Sequence, residues 1–195
     1  MPFSRKEFII KTAAGAIAMG LPSKFKPSSF TNKQENKLVL LGTRGGPVVH
    51  SYRASPSANV VVYNNTPFII DTGYGVSFKL IEAGVNLKGI KYIFITHHHS
   101  DHNLELGNLL YNSWVSGLSA NVNVYAPAGL NALLEAYWQS NHFDIETRIA
   151  DEGRPDIRKL VIAHEIKEGV ILSNADAQVS ALKNIHPPVT EKLCF

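Results

Sequence analysis

An α/β arrangement on a mostly antiparallel or mixed sheet is expected for this chain. Three observations lead there. Short apolar and β-branched runs come first, strand-like and helix-like runs mix after them, and no glycine-rich phosphate loop follows a strand. Gly42-Thr43-Arg44-Gly45-Gly46 is the nearest approach to such a loop. It lacks the Lys-Ser/Thr ending, and no helical pattern opens behind it.

The elements follow in order. Lys37–Leu41 is an apolar run stopped by Gly42, a strand. Asn59–Tyr63 and Pro67–Ile70 are apolar runs separated by an Asn64-Asn65 turn, which makes a hairpin closed by Asp71-Thr72-Gly73. Gly75–Ala83 carries Val76, Leu80 and Ile81 near helical spacing, and Gly84 ends it. Lys91–Ile95 is a buried strand running into a histidine-rich segment. Leu104–Val115 reads as a helix burying Leu106, Leu109 and Leu110, Val122–Ala126 as a strand, and Gly129–Ser140 as a second helix. Residues 141–158 read as a loop-rich insertion. Lys159–His164, Val170–Leu172 and Gln178–Ile185 are late strands, and Leu193–Phe195 reads as the start of another. Trp114 and Trp138 lie at helical spacing and belong to the core.

Composition narrows the function. The 195 residues are 45% hydrophobic and 18% charged, enough apolar material for one domain core. A net charge of +3, from 19 basic and 16 acidic residues, does not favour nucleic acid as a partner, and no run is long enough for a stable membrane span. Cys194 is the single cysteine, so neither an internal disulfide nor a thiolate-rich metal site can form.

Residues 1–33 are set aside as an export signal and linker, leaving 34–195 as the folded domain. The basic Arg5-Lys6 opening, the mild apolar run Thr12–Leu21 and the Lys/Pro/Ser stretch after it have the order of a secretory signal. The opening resembles a twin-arginine signal with Lys6 at the second arginine position. A periplasmic or secreted location is expected, with a cytoplasmic one as the alternative.

Thr96-His97-His98-His99-Ser100-Asp101-His102 carries the chemistry. It follows a buried strand, so the loop is held rigidly at the edge of a core. His97 and His99 are two apart in extended chain, and their side chains share one side. After a turn at Ser100, Asp101 and His102 face a neighbouring position. Imidazole with carboxylate is a zinc donor set, and manganese or iron suit the same donors. His98 points away by alternation and packs or hydrogen-bonds. His186, at the end of a strand and before Pro187-Pro188, is the next candidate ligand. His50, His142 and His164 read as surface or supporting residues.

The His97-x-His99-x-Asp101-His102 pattern resembles the hallmark of the metallo-β-lactamase superfamily. Gly42-Thr43, Gly46-Pro47, Arg53, Ser55 and Asp71-Thr72-Gly73 are similar to the opening motifs of its ribonuclease Z, arylsulfatase and cyclic-phosphodiesterase-like branch. The resemblance covers residues 37–195. It implies the N-terminal half or more of an αββα sandwich with two zinc ions at one edge. His97, His99 and His186 would bind the first zinc, and Asp101 and His102 the second. Asp71 would hold the histidine loop from below through hydrogen bonds. A zinc-bound hydroxide would be the nucleophile, with Asp101 as the catalytic residue orienting it.

Two departures bear on the expected activity. Ribonuclease Z proper has a glycine where Ser100 stands and another soon after Asp-His, whereas here Gly107 comes late. No aspartate and histidine follow His186 to complete a second metal site. The expectation is a truncated piece of a longer hydrolase, with a half-domain pairing with another chain as the alternative. The substrate expected is a phosphodiester or other small anionic ester. A tRNA 3′-processing endonuclease is the first alternative, weakened because an exported protein does not meet precursor tRNA, and an inactive metal-binding fragment is the second. Arg148, Arg154 and Arg158 interleave with Glu146, Asp151, Glu152 and Asp156, a self-paired surface rather than a substrate clamp.

Overall fold

The computed structural model describes residues 36–49, 54–175 and 177–195. The expected export signal, His50 and Arg53 lie outside the described residues. Strand β1 (Lys37–Gly42) pairs antiparallel with β2 (Ala58–Tyr63), and β2 with β3 (Thr66–Ile70). Asn64 and Asn65 make the tight turn between them with φ of 48° and 60°. Asparagine tolerates that left-handed backbone better than most residues, which is why two of them close this hairpin.

From β3 the sheet turns parallel. Helix α1 (Val76–Glu82) and a 3-10 turn (Leu87–Gly89) carry the chain back to β4 (Tyr92–Phe94). The turn α2 (Ser100–Asn103) and helix α3 (Leu106–Val115) lead to β5 (Val122–Ala126). Helices α4 (Leu130–Ser140), α5 (His142–Glu152) and α6 (Ile157–Leu160) lead to β6 (Val161–Glu165). The result is one mixed six-stranded sheet in the order β1-β2-β3-β4-β5-β6. A second, antiparallel sheet contains β7 (Gly169–Ser173), β8 (Gln178–His186) and β9 (Val189–Cys194).

Strand alternation builds two cores. Val60, Ile69, Ile93 and Val124 face the helices and join Leu80, Leu106, Leu109, Leu110, Trp114 and Leu130. Each fully buried aliphatic side chain there contributes about 1.5–3 kcal/mol. Phe68, Tyr92, Phe94 and Tyr125 face the other way, onto Ile171, Leu172, Val179 and Phe195 of the second-sheet region. Helices, sheet and sheet therefore form three layers of an αββα-type sandwich. Strand β4 is buried on both faces, so the loop leaving its end is anchored from two sides.

Residues 141–158 are not the loop-rich insertion expected from their charge and Gly153-Arg154-Pro155. Helix α5 occupies His142–Glu152. Ile145, wholly buried, and Ile149 one turn on make its apolar stripe. Asp144, Arg148 and Glu152 link successive turns on its polar side. The arginines are paired within this region as expected. Arg158 binds Asp156 and Glu146, and Arg154 binds Glu152 and the Trp114 carbonyl. The strand expected from Lys159 starts later, at Val161. Asp156 caps the Arg158 amide and turns Ile157–Leu160 into a helical turn first. Trp114 and Trp138 are both buried. Among the described residues no helix is long and apolar enough to cross a membrane.

Candidate metal centre

Strand β4 ends at Phe94, and the Ile95 amide still bonds the Tyr125 carbonyl of β5. The chain then leaves the sheet with Thr96 and the histidines. His97 is buried, and its Nε2 lies 3.1 Å from His99 Nδ1. His186, the last residue of β8, completes a group. One ring nitrogen from each of His97, His99 and His186 lies within 4.8 Å of the others. Two imidazole nitrogens held on a tetrahedral cation at about 2.0–2.1 Å are about 3.3 Å apart, so the His97–His99 separation fits such an ion.

Hydrogen bonding turns the lone pairs inward. Asp71 is buried, and Thr96 donates to its Oδ1 from the backbone amide at 2.8 Å and the hydroxyl at 2.9 Å. A carboxylate only accepts, so the Thr96 hydroxyl spends its one proton there. Its oxygen, 3.0 Å from His97 Nδ1, then accepts from that nitrogen. The proton of His97 is thereby fixed on Nδ1 and the Nε2 lone pair faces His99. The same logic fixes His102. Its Nδ1 donates to Asp71 Oδ2 at 2.6 Å, leaving the Nε2 lone pair 3.7 Å from Asp101 Oδ2.

Asp101 is buried, and its Oδ2 accepts from the Gly46 amide at 2.8 Å. That contact ties the loop after β1 to the histidine segment. Asp101 and His102 share the turn α2, where the His99 carbonyl accepts from the His102 and Asn103 amides. The six residues expected at the site, His97, His99, Asp101, His102, His186 and Asp71, are thus gathered at one end of the six-stranded sheet. His98 points elsewhere, as alternation predicts. Asn103 donates to its Nδ1 and its Nε2 donates to the Pro127 carbonyl, each at 3.1 Å. His142 pairs with Glu146, and His164 bonds Asn123 and stacks on Tyr125, outside the cluster.

Sequence reading names Thr96 and Gly46 only as parts of motifs, with no role for either, and does not single out Ser57. Ser57 donates to Asp71 Oδ2 at 3.1 Å. Thr96 stands next to the motif and was findable as a hydroxyl beside two imidazoles. Gly46 acts through its backbone amide, so the motif that contains it does not reveal its partner Asp101.

Burial pushes the His97 imidazolium down from 6.5 to about 4, helped by the charges of His102, His99 and Lys192. Lys192 is the first cause of the downward shift at His186, followed by burial. Both rings are therefore neutral donors near neutral pH. For His97 the folded value lies below the unfolded one, so its contribution to stability is present above about 6.5 and is lost as pH falls toward 4. The urea midpoint of the metal-free chain should fall between pH 6.5 and 5, and His97→Gln should flatten that slope. Equal slopes for the two chains would show that His97 does not carry the effect.

A three-layer sandwich with a cluster of imidazoles and carboxylates at the end of its larger sheet defines the metallo-hydrolase class of fold and site. The metallo-beta-lactamase superfamily model matches residues 52–170, and the chain belongs to that superfamily. Ribonuclease Z of Mycobacterium sp. (strain KMS) is 32% identical over 161 residues, covering 82% of this chain and 56% of the relative. The chain spans just over half the length of the curated relatives it matches. Among solved structures, the metallo-beta-lactamase fold protein YhfI from Bacillus subtilis has a TM-score of 0.55 at 18% identity, covering 77% of this chain and 54% of that one. A diphosphatase from the PhnP family has a TM-score of 0.54 at 20% identity, covering 80% of this chain and 59% of that one. Both share the fold with this chain.

Proposed function

We propose that this chain carries the first metal site of a hydrolase acting on phosphodiesters or other small anionic esters. The observation that supports it best is the convergence of His97, His99 and His186 nitrogens within 4.8 Å, with the Asp101–His102 pair alongside. His97, His99 and His186 would hold one zinc ion, and Asp101 and His102 would serve a second. Bound zinc supplies Lewis acidity and makes water a nucleophile near neutral pH. The protein's own part is positional. Gly46 fixes Asp101 Oδ2, which leaves Oδ1 to accept a hydrogen bond from the attacking water and orient its lone pair. Asp71 and Thr96 keep the protons of His102 and His97 on the nitrogens that face away from the site. The inward position of the cluster, at the end of a buried strand, limits how far any ligand can move when substrate arrives.

The similarity to ribonuclease Z supports a second reading, a tRNA 3′-processing endonuclease. One comparison separates the two. Metal-loaded protein is offered bis(p-nitrophenyl) phosphate and a precursor tRNA, beside His97→Ala. Hydrolysis of the small diester, lost in the variant, supports the first reading. Cleavage confined to the tRNA 3′ side supports the second. Absence of both activities would leave an inactive metal-binding chain. Residues 1–33 we assign to an export signal and linker, on the basic opening and the apolar run behind it. Sequencing the mature N-terminus after expression tests that assignment, and an uncut Met1 in the cytoplasm would contradict it.

A further inference from the structure

Lys192 lies on β9 opposite Asn184 of β8, two residues before His186. The next residue, Leu193, donates its amide to the Thr96 carbonyl at 2.9 Å, one residue before His97. The lysine backbone is thereby pinned between the two chain segments that carry the imidazole cluster. Its charge is felt at both His186 and His97. Lys192 is half-buried and forms no ion pair among the described residues. The nearby carboxylates have other work. Asp101 is held by Gly46 and faces His102, and Asp71 is held by Thr96, Ser57 and His102.

An ammonium near a cation site opposes metal capture, since like charges repel. The repulsion is relieved when an anion lies between the two. One negative oxygen in contact with both turns two unfavourable neighbours into two favourable ones. We propose that Lys192 anchors an anionic oxygen of the substrate, the non-bridging oxygen of a phosphodiester, and that anion and metal therefore bind this chain cooperatively. This rests on the hydrolase reading above and adds to it the residue that recognises the substrate's charge.

The test is zinc affinity, measured by competition with a chromogenic chelator, with and without inorganic phosphate. Wild type, Lys192→Met and Lys192→Arg are compared, with circular dichroism confirming that each is folded. Phosphate should tighten zinc binding about tenfold in wild type and Lys192→Arg, within the usual range of coupling between two ligands. Lys192→Met should lose that coupling and, without phosphate, bind zinc more tightly than wild type. Equal phosphate effects in wild type and Lys192→Met would overturn the proposal, as would unchanged zinc affinity of Lys192→Met in phosphate-free buffer. Zinc bound normally but indifferent to Lys192 defeats this inference alone. Failure of wild type to bind zinc under either condition defeats the hydrolase reading and this inference with it.

Discussion

Asp71→Ala should cost the folded chain about 3–5 kcal/mol, the range for removing one partner from a buried charged network. Thr96, Ser57 and His102 all donate to this one carboxylate, and alanine leaves their donors without an acceptor. Asp71 also holds a left-handed backbone, φ 61°, which costs alanine more than aspartate or asparagine. Asp71→Asn separates the two effects, because asparagine tolerates that backbone and keeps the shape. The fixed Thr96 amide demands an oxygen, so the new NH2 group would face His102 Nδ1. That nitrogen must then accept, and the His102 proton moves to Nε2, the atom that should meet a metal. Asp71→Asn should therefore be only mildly destabilised yet lose metal affinity about 10–100-fold, the usual effect of disturbing the partner of a ligand histidine. Chemical denaturation and chelator competition read the two quantities. Normal metal affinity in Asp71→Asn would contradict the assigned role.

Gly73→Ala should be the second large effect. A Cβ at residue 73 would sit 2.6 Å from the Asp101 carbonyl, 2.9 Å from Pro56 Cβ and 2.9 Å from the Ser57 carbonyl. Two of those three neighbours are backbone, which cannot rotate away. Something must shift, and overpacking of this kind costs about 1–3 kcal/mol or more. The displaced group here is the turn bearing Asp101, so the damage should reach the site. The variant should unfold at lower denaturant and show weaker metal binding, whereas Gly45→Ala, with nothing within 4 Å of the added carbon, should show neither. Loss of stability with unchanged metal affinity would show that the Asp71–Gly73 turn and the Asp101 turn are not mechanically linked.

The parts of this molecule legible in the sequence are those written in side-chain period and spacing. The β2–β3 hairpin announces itself through Asn64-Asn65 between β-branched runs. His97 and His99, two apart after a continuous apolar strand, announce a shared face. His98 is placed outside the cluster by the same alternation. Helix α5 was hidden because its charged residues mimic a solvated loop, while only Ile145 and Ile149 mark its buried stripe. The break between α2 and α3 was hidden too. Leu104 continues the apolar spacing but is exposed, and the Glu105 amide bonds back to the Thr72 carbonyl. Hydrogen bonds between distant segments, such as Gly46 to Asp101, leave no periodic signal. They follow from packing, and packing is what the folded chain adds to the sequence.

The most direct test of the central claim is metal content. Elemental analysis of the purified chain should find close to one tightly held zinc, and the His97→Ala/His99→Ala chain, folded by circular dichroism, should retain none. Zinc no higher in wild type than in the double variant would mean that these imidazoles do not form a metal site in this chain, and the hydrolase reading would fall.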